Sequence, residues 1–181
     1  MHKSLFNYTL FFLFFWGCTV KTPSPQKTEI IQLSTLLQHS TSLSVHAESL
    51  NLSQDIFIQT QRLTKVFERS TSPKYHNFLI TVGLKEKGLC YHWSDALYHH
   101  FRTQKVYPSF TFHLMVSNKG NYWKEHNTLV IVPKDKPIKE GIIIDPWRDT
   151  HQLYFARVKD DKAYQWVHRG ERGCKHTFEI Q

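Results

Sequence analysis

Gly88-Leu89-Cys90-Tyr91-His92-Trp93-Ser94-Asp95-Ala96-Leu97 is the stretch from which the rest of the chain is read. A glycine turn passes into a run where Trp93, Ala96, Leu97, His100 and Phe101 recur at helical spacing, so a helix opens at Cys90 with one apolar face for a core. A thiol at a helix start meets unpaired N–H groups and the positive end of the helix dipole, which favours a thiolate and strengthens the nucleophile. Downstream, His126 heads the apolar run Thr128-Leu129-Val130-Ile131-Val132, and Asp145 closes Ile142-Ile143-Ile144 ahead of Pro146-Trp147-Arg148. Cysteine, histidine and aspartate in this setting are the parts of a thiol acyl-transfer site.

Each residue type has a stated job. An imidazole on an adjacent strand takes a proton and returns it to the leaving group. A carboxylate ending the next strand accepts the other imidazole N–H and fixes the tautomer. The backbone amide of Cys90 supplies one oxyanion donor, and the sequence identifies no second. The separations, 36 and then 19 residues, leave room for a helix with one or two strands and then for a hairpin. They permit convergence without requiring it.

Outward from this region the elements sort by period. Glu29 to Gln38 carries Ile30, Leu33, Leu36 and Leu37 at helical spacing, and His46 to Arg69 carries Leu52, Ile56, Leu63, Val66 and Phe67. Ser70-Thr71-Ser72-Pro73 stops the second helix. The site region begins with Asn77 to Leu84. Pro108 ends the Cys90 helix segment, and strand-like runs follow at Phe110 to Val116, Thr128 to Val132, Ile142 to Asp145, Leu153 to Val158 and Tyr164 to His168. Helices first and a strand meander after predict an α+β fold: a nucleophile-bearing helix packed on an antiparallel sheet.

The order Cys90, His126, Asp145, with Gly88-Leu89-Cys90-Tyr91-His92-Trp93 and Ile144-Asp145-Pro146-Trp147-Arg148 around them, resembles the transglutaminase-like branch of the papain-like cysteine enzymes, and in particular small bacterial proteins of that kind. The resemblance covers Phe78 to Val158. It implies a papain-like, transglutaminase-type core and attack on carboxamides by hydrolysis, deamidation or transfer to an amine, with no cofactor. The superfamily also contains members without activity.

At 181 residues the chain suits one domain. Residues 1–17 read as a secretory signal: His2 and Lys3 precede the uncharged run Leu10 to Trp16, shorter than the roughly 20 residues a membrane span needs. Gly17-Cys18 resembles a bacterial lipoprotein cleavage site, with Cys18 as the lipidated residue and residues 18–28, carrying Pro23 and Pro25, as a tether. The domain then spans residues 29–181, on the periplasmic face of a bacterial membrane. Cys90 and Cys174 remain, and in an oxidising compartment a disulfide between them is the alternative to a reactive thiol. Lys and Arg number 23 against 15 Asp and Glu, a formal charge of +8, without a block of five like charges or a nucleic-acid motif. This reads as a solvated basic surface near an anionic membrane, with no nucleic-acid partner.

Twelve histidines make any one of them a weak signal. His126 is preferred for its place between Cys90 and Asp145, with His113 as rival. His92, His99 and His100 read as structural. Asp145 before proline also fits a turn cap. Trp93, Trp147 and Arg148 are expected around the site, with Asp95 and Trp123 as further candidates. No CxxC, HExxH or HxH spacing occurs, so no metal is expected. The sequence therefore supports an exported, membrane-tethered cysteine hydrolase or acyltransferase acting on a protein or peptide amide. A cell-wall amidase or endopeptidase and an inactive binding lipoprotein are the alternatives.

Overall fold

The computed structural model describes residues 27–170, apart from 43, 70–71, 105, 122 and 150–151. The signal, Cys18, most of the tether and Cys174 lie outside the described residues. The fold is α+β. Helices α1 (Lys27–His39), α2 (His46–Val66), α3 (Pro73–Thr81) and α4 (Cys90–Gln104) precede strands β1 (Phe110–Ser117), β2 (His126–Pro133), β3 (Ile142–Asp145), β4 (Tyr154–Arg157) and β5 (Val167–His168). The strands form one antiparallel sheet in the order β4-β3-β2-β1-β5. No helix among the described residues is long and apolar enough to cross a membrane.

Alternation along the strands divides the core in two. Leu129 and Ile131 of β2 with Ile142 and Ile144 of β3 face the helices, packing with Leu33, Leu37, Leu52, Ile56, Leu97 and Phe101. Val130, Val132 and Ile143 face the other way, against Met115 and under Ile138, Tyr154, Val158 and Trp166. That second face is covered by the segment that leaves β4 at one sheet edge and returns as β5 at the other. β2 is buried along its whole length, as expected of the central strand.

α4 follows its reading closely, with Trp93, Ala96, Leu97 and Phe101 buried and His100 turned to Asp55 of α2 at 3.1 Å. α2 ends earlier than expected. Glu68 takes a left-handed φ of 47°, which breaks the helix, leaving Phe67 buried but Val66 exposed and off the stripe. Pro73, read as part of a stop, is also the first residue of α3, where its fixed φ suits a helix start and its missing N–H is not needed. The last strand is shorter than expected, and the run before it lies over the sheet instead of joining it.

Candidate active site

The turn before α4 is built to present Cys90. Gly88 has φ +114°, and a Cβ there would stand 2.2 Å from His76 Nε2, so both conformation and space demand glycine. His76, buried on α3, reaches the neighbouring Lys87 carbonyl at 2.8 Å. His92 Nδ1 accepts the N–H groups of Gly88 at 3.0 Å and Leu89 at 3.1 Å, doing the work of an N-cap side chain. Trp93 donates from Nε1 to the Gly88 carbonyl at 3.1 Å and packs against Phe67, so it supports the turn from below. Cys90 heads the helix, 8 % exposed, with a free thiol.

Sheet register sets the other two residues. Leu129 pairs with Ile144, so the next step of the ladder sets Thr128 opposite Asp145, and His126 lies two residues further along the same face. His126 Nε2 and Asp145 Oδ2 are 2.6 Å apart, and both residues are 1 % exposed. Asp145 holds its geometry through its neighbours. Its Oδ1 accepts the backbone N–H groups of Trp147 and Arg148, each at 3.2 Å, and its Oδ2 also accepts Arg148 Nε at 3.0 Å. One oxygen of Asp145 thus caps the turn that follows β3 while the other meets the imidazole.

The imidazole lies among rings: Trp147 at 4.8 Å, Tyr164 at 4.7 Å and Trp166 at 5.6 Å between centroids. Arg148 fastens this cover. Its guanidinium bonds Asp161 at 2.7 and 3.2 Å and lies 3.8 Å over the Tyr154 ring, while Asp161 also accepts Trp166 Nε1 at 2.9 Å. Arg69 clamps the chain after Asp145, donating to the carbonyls of Pro146, Trp147 and Asp149. Burial drops Arg69 to about 10 despite the nearby charges of Asp145 and Asp149.

Burial by itself would lower the His126 pKa. The hydrogen bond to Asp145, the nearby Cys90 sulfur and the charge of Asp145 override it and raise the imidazole to about 9. With Nε2 given to Asp145, Nδ1 has no hydrogen-bond partner among the described residues, and the Cys90 sulfur lies near enough to act on the ring. Catalytic hydrogen bonds are commonly long before substrate arrives.

The structure thus brings Cys90, His126 and Asp145 to one end of the sheet, with Trp147 and Arg148 in contact with the histidine and the carboxylate. Trp93 supports the turn before Cys90 without touching His126 or Asp145 in any ring contact or hydrogen bond described. Asp95 pairs with Arg169, and Trp123 is 85 % exposed. His113 bonds Thr111 at 2.9 Å and faces His168. Among the described residues, no cluster of His, Cys, Asp or Glu is arranged to hold a metal.

Several neighbours escaped the sequence reading. Asn127 Nδ2 lies 3.7 Å from Cys90 Sγ, and the Glu125 carbonyl is 4.0 Å from it. Tyr164, Trp166, Asp161 and Arg69 are the others. Period-two alternation could have flagged Asn127, a polar residue on the face that carries Leu129 and Ile131. No protein-family model, curated protein or solved structure matches this chain.

Proposed function

We propose that this protein is a cysteine hydrolase or acyltransferase of the transglutaminase-like, papain-like kind, acting on carboxamides of a protein or peptide. The observation that carries this reading is the buried 2.6 Å His126–Asp145 pair, on whose imidazole the free thiol at the start of α4 acts. Cys90 attacks the amide carbon, and His126 gives a proton to the departing amine. Water or a second amine then resolves the thioester, with His126 as base. Asp145 keeps the ring proton on Nε2, so that Nδ1 faces the sulfur. Trp147, Tyr164 and Trp166 keep water from the ion pair, which strengthens it. Export and tethering through Cys18 belong to the same proposal, because an acylated Cys18 would hold the domain at a membrane surface.

The test is intact mass spectrometry after exposure to a chloroacetamide-capped peptide. A single adduct on Cys90, absent from Cys90→Ala with unchanged circular dichroism, is expected. Labelling that survives in Cys90→Ala, or a wild-type protein that forms no adduct, would refute the assignment.

A further inference from the structure

Asn127 follows His126 on β2 but faces the opposite side of the sheet, beside Leu129 and Ile131, where it is 2 % exposed. Its Nδ2 carries two hydrogens. One is directed to Glu125 Oε1 at 3.2 Å, and the other faces Cys90 Sγ at 3.7 Å. Glu125 is itself anchored, its Oε2 accepting the Gly120 N–H at 2.9 Å. This fixes the orientation of the amide, since a flipped Asn127 would set its oxygen against the Glu125 carboxylate. The Oδ1 of Asn127 is buried with no hydrogen-bond partner among the described residues. A position that served packing alone would carry an apolar side chain like its neighbours, because stranding a buried acceptor is unfavourable.

Building on the proposed acyl transfer at Cys90, we infer that Asn127 Nδ2 and the backbone N–H of Cys90 are the two donors that receive the substrate's carbonyl oxygen. When the thiolate bonds to the carbonyl carbon, the π pair moves to oxygen, which then lies two bonds from the sulfur. A donor 3.7 Å from that sulfur is within reach of this oxygen, at the roughly 3 Å an oxyanion donor needs. The Cys90 N–H is the first of α4, where no preceding turn of the helix offers it a carbonyl. On collapse the C=O bond re-forms, the C–N bond breaks, and the amine leaves with the proton held by His126. The thioester passes through the same donors when water or an amine attacks it. Asn127 is thus a catalytic residue, and Glu125 is the positioning residue that aims it.

Two reactions of the same sulfur separate this role from a structural one. Acylation of the full chain by p-nitrophenyl acetate builds an oxyanion, whereas alkylation by iodoacetamide displaces iodide and builds none. Asn127→Leu is expected to slow acylation on the order of 10²-fold while leaving alkylation within about twofold. If that variant does not fold, Asn127→Ser, whose hydroxyl is too short to reach, reads the same ratio. Equal slowing of both reactions, or no slowing of acylation, would overturn the role of Asn127 and leave Cys90 as the nucleophile. A wild-type chain that p-nitrophenyl acetate does not acylate at Cys90 would overturn the nucleophile assignment and this inference together.

Discussion

Replacing Asp145 by Asn keeps the shape of the side chain and halves its acceptors. In the wild type two oxygens take four donors: the backbone N–H groups of Trp147 and Arg148 on one, His126 Nε2 and Arg148 Nε on the other. An amide has one oxygen, so either orientation leaves two of the four buried or half-buried donors without an acceptor. At about 1–3 kcal/mol for each, the expected loss is about 2–6 kcal/mol, a large part of the roughly 5–15 kcal/mol that holds a domain together. Urea denaturation followed by tryptophan fluorescence reads it, because Trp147 packs on the affected histidine. The loss also depends on pH. The His126 imidazole is raised from 6.5 to about 9, so the stability it contributes is fully present below pH 6.5 and disappears as pH climbs through about 9. Its full size is at most about 3.5 kcal/mol, for 9 − 6.5 = 2.5 factors of ten at ~1.4 kcal/mol each. The gap between wild type and variant is therefore widest below pH 6.5 and narrows towards pH 9. In the folded variant an amide N–H facing Nε2 selects the wrong tautomer, and acylation of Cys90 should fall on the order of 10⁴-fold. A loss below about 1 kcal/mol, or a gap that widens with rising pH, would refute the account of Asp145.

Three further substitutions probe the scaffold. Gly88→Ala is expected to destabilise by about 3 kcal/mol or more by chemical denaturation, since it combines an unfavourable φ with a collision against His76. His92→Ala removes the acceptor for two N–H groups ahead of α4 and should lower stability by about 1 kcal/mol in the same assay. Arg148→Lys retains charge but not the fork that spans Asp145 and Asp161, so acrylamide should quench Trp166 more readily than in the wild type.

How much of this was legible depends on how local each feature is. The Cys90 helix, β2 and β3 could be read because their apolar periods are unbroken and turn residues bound them. The triad could be proposed because cysteine at a helix head, histidine at a strand head and aspartate at a strand end are each visible locally. α3 was missed because Tyr75 and Phe78 are exposed, so its apolar residues do not mark a buried face, and its opening proline read as a terminator. Tyr164 and Trp166 were out of reach for another reason. They touch His126 only because the chain crosses the sheet between β4 and β5, a contact set by topology alone. Arg69, after the left-handed break at Glu68, reaches carbonyls nearly eighty residues away.

The central claim is that the Cys90 sulfur and the Asp145 carboxylate act on one imidazole. Nitrogen-15 NMR of histidine-labelled protein follows the His126 ring directly through its titration. The wild-type ring should titrate near pH 9, and in Cys90→Ala the midpoint should fall, because the nearby sulfur is one of the influences that raise it. A His126 midpoint that is the same with and without the sulfur would contradict the account.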